Sequence, residues 1–415
     1  MHWMIGCIVA CSLVASLAGE ALAGYCNACH LPVRAGVHAS LACNDCHLAG
    51  GRSQSDPAAQ SVAAAGCVSC HRGYERIFSG TMGSRKGERA FAERTYGRHD
   101  PGFFPANCGG CHIQGCGSCH GSGHRVSRPG TERCLACHKG YYTGWDYVGR
   151  APREDNMRYQ RGAVANGETF LTMLPDVHFR AGIPCSGCHT MGSMVAGRGG
   201  KKCRECHTPD PTVLEHRIAG HLEKLECSAC HSAWGAQEYG TFYLRFADTR
   251  LMDEFDLRPG GSPDYLKSSY LKRQDLPPLG LNAAGRVSPI RPQFIAFYTD
   301  IDAARGGSRE NLLLAAEWRA FFPHTVQRGT ATCEACHETP RRFLLEAAGG
   351  EIYRLRQDGL PLDSFWQQRG QRVVNGGFLP EGHYRSMAAG SMAYRRGQVE
   401  KWRTFINRVE PSSNE

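Results

Sequence analysis

The longest apolar run in this chain stands at its start, from Trp3 to Leu17, and leads into Ala21-Leu22-Ala23. A short apolar run followed by a small-x-small triplet predicts an export signal, with the mature chain beginning at Gly24 and residues 1–23 removed. No Lys or Arg precedes the run, only His2, so an uncleaved anchor is the alternative. A lipid anchor on Cys11 is a second one, because Ile8-Val9-Ala10-Cys11 has the form of a lipoprotein cleavage box. No other segment is apolar enough to span a membrane. Further along, Phe294-Ile295-Ala296-Phe297-Tyr298 predicts a strand, and Pro289 and Pro292 beside it predict a sheet edge. Residues 309–322 predict a helix, with Ser308 as N-cap and Pro323 just past its end. Asp358-Gly359 marks a turn between apolar runs. A second helix is expected from about Met392 to Val409, with Val399, Trp402 and Ile406 on one face, Phe405 beside them, and Arg395, Arg396, Lys401 and Arg403 able to reach water. That stripe is read as packing on the body of the protein, with a docking surface as the alternative.

Composition changes this picture. Only 41% of the 415 residues are hydrophobic, and Gly 50 and Pro 21 are high. Such a chain buries apolar surface poorly, so something else must fill its interior. The 22 cysteines say what. Two, Cys7 and Cys11, lie in the N-terminal apolar segment; the other twenty form ten Cys-x-x-Cys-His motifs, numbered 1 to 10 in chain order. Their pairs are Cys26 and Cys29, Cys43 and Cys46, Cys67 and Cys70, Cys108 and Cys111, Cys116 and Cys119, Cys134 and Cys137, Cys185 and Cys188, Cys203 and Cys206, Cys227 and Cys230, and Cys333 and Cys336. Chance would supply roughly 0.05 such motifs at this composition.

The spacing has a mechanical reason. Two thiols three positions apart each form a thioether to one vinyl group of a single porphyrin, and the next residue, His, lies under the iron as its proximal ligand. The proximal ligands are then His30, His47, His71, His112, His120, His138, His189, His207, His231 and His337, and the cofactor is haem c, ten per chain and covalently bound. Zinc ribbons also use Cys-x-x-Cys, but need paired motifs and no His after every second Cys. A disulfide framework needs no His at all. Thiols outside the cytoplasm normally become disulfides, so a maturation system must catch these reduced.

On these motifs, spread over residues 26–337, the chain resembles the multihaem (here decahaem) c-type cytochromes of anaerobically respiring bacteria. The stretch from Asp176-Val177-His178 through Cys185 to Cys188-His189-Thr190 is similar, more locally, to segments of the octahaem tetrathionate reductases. The resemblance implies a mostly irregular and α fold, with little regular secondary structure, wrapped around ten haems. It implies attachment by the bacterial cytochrome c maturation machinery outside the cytoplasm, so the protein is expected to be exported: periplasmic, outer-membrane-associated or extracellular.

Motif starts are separated by 17, 24, 41, 8, 18, 51, 18, 24 and 106 residues. The recurring 17/18 and 24 suggest a three-haem repeat, at 26–71 and 185–231. Only Ile113-Gln114-Gly115 separates His112 from Cys116, at most ~14 Å of extended chain, so those two porphyrins must nearly touch. The expected domains are a nine-haem region, 24–231; a haem-free insertion, 232–332, with some β; and a tenth haem with a helical tail, 333–415.

Low-spin electron-transfer haems need a sixth ligand, usually His or Met. Outside the motifs and the signal, eight histidines remain as candidate distal ligands: His38, His99, His124, His178, His216, His221, His324 and His383. Several stand five to ten residues before a motif, placed to reach a nearby iron, often that of another motif. Eight cannot serve ten, so at least two irons within one chain take Met, Lys or an amine, stay open, or borrow from a second subunit. The mature methionines available are Met82, Met157, Met173, Met191, Met194, Met252, Met387 and Met392.

The formal charge of +9 is not a nucleic-acid signature here. Each ferric haem with two propionates adds about −1, so ten bring the holoprotein near neutrality, and much of the Arg surplus is local compensation. Clusters at Arg341-Arg342 and Arg395-Arg396 are candidates for steering a partner. Three functional readings follow. The first is an electron conduit in anaerobic respiration, fed by membrane quinol-oxidising cytochromes or periplasmic carriers and discharging to periplasmic or outer-membrane cytochromes or extracellular metal. The second is a terminal reductase of a small sulfur, nitrogen or selenium oxyanion at an open iron. The absence of the Cys-x-x-Cys-Lys variant found in pentahaem nitrite reductases counts against it. The third is a homo-oligomeric extracellular haem filament, in which a neighbouring subunit supplies the missing ligands.

Overall fold

A computed structural model describes residues 67–68, 70–108, 113, 115–121, 126–135, 147–148, 161–165, 168–171, 176–246, 258–259, 265–301, 309–329, 331–345 and 372–409. The N-terminal signal, motifs 1 and 2, His38, His112, His124, His138 and the Asp358-Gly359 turn lie outside the described residues. The chain divides into two compact units. One comprises Met1–Arg89, Gly109–His138 and Pro184–Lys201; the other comprises Ala90–Cys108, Lys139–Ile183 and Lys202–Glu415.

The second unit holds two sheets. A small antiparallel one is made of β1 (Tyr147–Val148), β2 (Arg161–Ala165) and β3 (Glu168–Leu171), in the order β1-β3-β2. The larger contains β4 (Trp234–Phe246), β5 (Arg258–Pro259), β6 (Tyr265–Asp275), β7 (Leu279–Asn282), β8 (Val287–Ile301), β9 (Arg309–Ala320), β10 (Arg372–Val373) and β11 (Gly376–Gly377). Its path runs β10-β9-β8-β4-β6-β5, and β7 joins β8 to β11. β4 pairs antiparallel with β6 from Trp234↔Asp275 to Arg245↔Tyr265, and parallel with β8 from Thr241↔Ala296 to Phe246↔Ile301.

Two sequence expectations are corrected here. The segment expected to be a helix, 309–322, is strand β9. Leu312 to Ala316 favour a helix in isolation, but β8 offers a full antiparallel partner, Ile290↔Ala320 to Asp300↔Arg309, and that pairing overrides propensity. The run Phe294–Tyr298 lies in β8, which is an interior strand and not an edge. Its prolines are tolerated because both precede the part that β4 pairs, 296–301, and the register against β9 shifts between Pro292 and Phe294.

The sheet serves as a wall for segments that carry Cys-x-x-Cys-His motifs. Ala296 and Tyr298 of β8 pack with Phe91, Tyr96 and Phe103, and Phe103 opens the helix Phe103–Cys108 that enters motif 4. A second core joins Leu279, Val287, Phe343, Leu379 and Tyr384 to Ala229 of motif 9, with Cys336 of motif 10 against it. Glu317 of β9, 7% exposed, is bound by Arg94 and by Arg372, 2.7 Å away. Glu317→Ala should cost about 1–2 kcal/mol in thermal or denaturant unfolding. The value is modest because the Arg94 and Arg372 side chains are 37% and 62% exposed and water screens them.

The C-terminal helix runs Glu381–Val409, longer at its start than the sequence pattern predicts. At about 1.5 Å per residue it is roughly 44 Å long. Its first turns pack into the core through Tyr384, Met387 and Ala388. Val399, Trp402, Phe405 and Ile406 are 51, 64, 57 and 49% exposed, so the expected packing of that stripe is not what the described residues show. Arg395 reaches water as expected, 42% exposed, and also pairs with Glu334 and Glu338 around motif 10. Among the described residues no helix is long and apolar enough to cross a membrane.

Candidate haem-ligand site

Most of the described motifs form a single helical turn. Motif 7 makes the helix Cys185–Cys188, motif 9 Cys227–His231 and motif 10 Cys333–His337, while motif 8 makes a 3-10 turn at Cys203–Glu205. A turn brings both thiols of a motif to one side, as two thioethers to one porphyrin require. Thr332 caps the motif-10 turn by accepting from Ala335 N.

Three of the spare histidines stand opposite motif histidines. The ring centroids of His178 and His207 are 5.8 Å apart, those of His216 and His231 6.3 Å, and those of His221 and His337 6.2 Å. A metal–imidazole bond is about 2.0–2.1 Å long and the ring centre lies about 1 Å beyond the nitrogen, so two imidazoles on opposite sides of one iron have centroids about 6 Å apart. All three pairs have that separation.

The ring nitrogens agree with it. His216 Nδ1 donates to Asp210 O at 3.0 Å and His221 Nδ1 to Glu215 O at 3.0 Å. His231 Nδ1 donates to Gln327 O at 3.3 Å, and His337 Nδ1 to Met387 O at 3.2 Å. A carbonyl can only accept, so Nδ1 must carry the hydrogen and Nε2 keeps its lone pair for a metal. His178 Nδ1 meets Asp176 Oδ1 at 2.8 Å, with the same consequence. Such outer partners are the usual companions of metal-bound histidines. Burial holds His337 below the ordinary imidazole value, which also favours the neutral ring.

None of the three distal candidates opposes the motif that follows it most closely in sequence, except His216, whose partner is the motif-9 histidine. His178 passes over motif 7 to motif 8, and His221 passes over motif 9 to motif 10. His216 and His221 thus lie on adjacent short helices, Leu214–Arg217 and His221–Lys224, yet face different motifs.

The thiols of successive motifs are also close. In this unit Cys203 of motif 8 hydrogen-bonds Cys227 of motif 9, lowering Cys227 to about 6 and raising Cys203. Burial pushes Cys230 up to about 11, with Cys336 of motif 10 acting on it in the same sense. Cys336 of motif 10 also packs against the core that holds Ala229 of motif 9, so motifs 8, 9 and 10 form one array. In the other unit, the free thiol of Cys67 of motif 3 hydrogen-bonds that of Cys116 of motif 5, and Cys134 of motif 6 hydrogen-bonds Cys185 of motif 7.

The remaining described candidates are placed differently. His99 stacks on Tyr298 at 4.5 Å and 16°, in direct ring contact. His324 has a left-handed backbone, φ 57°, and its ring meets Phe322 edge-on at 4.9 Å. His383 is exposed in the first turn of the C-terminal helix. Among proximal histidines, His71 lies 6.1 Å edge-on from Tyr74, His120 Nδ1 donates to Ser127 O at 2.9 Å, and a Cβ on Gly200 would sit 3.0 Å from the His189 ring.

Arg342, read from sequence as part of a surface cluster, is 3% exposed. It donates from Nη2 to Ala229 O at 2.6 Å, from Nε to Pro277 O at 3.4 Å and from Nη1 to Cys336 Sγ at 3.0 Å. Asp176 and Arg342 are the two residues that the sequence reading passed over as site residues. An Asp two places before a His is a legible helix-capping signal, whereas nothing local marks Arg342.

No protein-family model, curated protein or solved structure matches the chain. Among the described residues no three or more His, Cys, Asp or Glu side chains gather as a protein-only metal centre would need. Six of the described imidazoles come in three pairs, a donor set that would suit a metal whose other four positions a macrocycle fills.

Proposed function

We propose that this protein is a decahaem c-type cytochrome that conducts electrons outside the cytoplasm. The observation that carries the reading is the set of three imidazole pairs at iron-spanning separation, five of their six rings with Nδ1 already engaged. Haem supplies one-electron chemistry between ferric and ferrous iron. The chain's own residues do the rest. Cys203 and Cys206, Cys227 and Cys230, and Cys333 and Cys336 would anchor three porphyrins. His207, His231 and His337 would bind from one side, and His178, His216 and His221 from the other.

Two histidines would be available to the iron at each of motifs 8, 9 and 10, which would suit electron transfer and leave no seat for substrate there. The Cys203–Cys227 hydrogen bond, and Arg342 reaching both Ala229 O and Cys336 Sγ, bring successive attachment points together, as a conduit needs. Export, maturation by the cytochrome c machinery and redox-protein partners belong to the same reading. The protein should be made in a host with that machinery, and its haem counted by pyridine haemochrome against protein mass. Ten per chain, with a sharp reduced α-band, is expected. Zinc or disulfides in place of haem would refute the reading.

A further inference from the structure

We infer that Asp176 and Arg342 set a built-in potential difference across the three-motif array, Asp176 lowering the reduction potential at motif 8 and Arg342 raising it at motif 10. The inference rests on the haem reading of these motifs.

His178 donates from Nδ1 to a carboxylate, while His120, His216, His221, His231 and His337 donate to backbone carbonyls. Asp176 is built for that role. It is 4% exposed, its Oδ1 accepts from both His178 N and Nδ1 at 2.8 Å, and its Oδ2 accepts from Val326 N at 2.7 Å. A carboxylate accepting from the far nitrogen makes the ring a stronger donor through Nε2 and favours the more positive ferric state. Low exposure keeps water from screening it.

The opposite charge sits at the other end. Arg342, 3% exposed, touches the Cys336 sulfur directly and fixes Ala229 of motif 9. A buried guanidinium against a thioether sulfur favours the ferrous state, in which the site carries one positive charge less. The acids nearest motif 10, Glu334 and Glu338, are paired with Arg395 and offset it little. Electrons supplied by a reduced partner protein therefore settle at the motif-10 end.

The test is a potentiometric titration of the purified holoprotein, followed by visible absorption, with low-temperature electron paramagnetic resonance as a ligation check. Asp176→Asn keeps shape and N-capping but removes the charge. It should favour reduction of one haem at least tenfold, a rise of about 59 mV for a one-electron couple. The shift should vanish in a Cys203→Ala/Cys206→Ala background, which lacks the motif-8 attachment. Arg342→Gln should move a different haem the opposite way, and Arg342→Lys, which keeps the charge, should move it less. Unchanged potentials, or shifts of one sign in both variants, overturn the inference while leaving the cytochrome reading intact. Conversion of an iron to high spin in Asp176→Asn overturns it in favour of a structural role. A protein without haem absorption removes the parent reading itself.

Discussion

Replacing His221 by alanine should convert one ferric iron per chain from low to high spin, and that iron should be the one at motif 10, 116 residues downstream. The prediction follows from the His221–His337 pair at 6.2 Å and from the hydrogen bonds that leave both Nε2 atoms for a metal. His216→Ala should do the same at motif 9, and the double variant should yield two high-spin irons. The pairing is tested by combination. In a chain also carrying Cys333→Ala and Cys336→Ala, His221→Ala should add no further high-spin signal, because its iron is already gone. If His221→Ala acted instead on the motif-9 iron, the neighbour in sequence, the pairing would be wrong. His383→Ala, at an exposed site, serves as a control with no expected change in motifs 8 to 10.

The second large effect is on stability. Phe343→Ala should destabilise the holoprotein by about 3–5 kcal/mol, the usual cost of emptying a buried phenylalanine site. Phe343 is 1% exposed and packs with Tyr384 at 5.5 Å between ring centres, in the core that includes Ala229 and receives Cys336. The cavity would open between the supports of motifs 9 and 10, so loss of packing and loosening of those ligands should come together. A melting temperature lower by at least about 6 °C is expected, at roughly 2 °C or more per kcal/mol for a domain of this size. The His221 and His337 signals should broaden before the global transition. A shift within about 1 °C would mean that the haem contacts, not this core, carry the stability of the region.

Local chemistry was readable from the chain, and pairing was not. The Cys-x-x-Cys-His motifs name thiols and one histidine by spacing alone, since all three lie within one turn. Eight candidate distal histidines were singled out by the demand for ligands, and three of them, His178, His216 and His221, stand about 6 Å from motif histidines. Which motif each one faces depends on how distant segments fold together. His178 passes the motif seven residues ahead of it, and His221 reaches a residue beyond strands β4 to β9. The same limit explains β9. Leu312, Leu313 and Leu314 carry a helical preference that only the partner strand β8 overturns. Arg342 looked like surface charge beside Arg341, and its burial comes from Pro277, Ala229 and Cys336, which no window around it contains.

The central claim is that motifs 8, 9 and 10 hold irons ligated by histidine on both sides. It is tested most directly by quantitative electron paramagnetic resonance and near-infrared magnetic circular dichroism of the oxidised holoprotein. The account predicts at least three low-spin ferric irons per chain with bis-histidine signatures, three of which disappear together in His178→Ala/His216→Ala/His221→Ala. Fewer than three such irons, or a triple variant whose bis-histidine signal is unchanged, would contradict it.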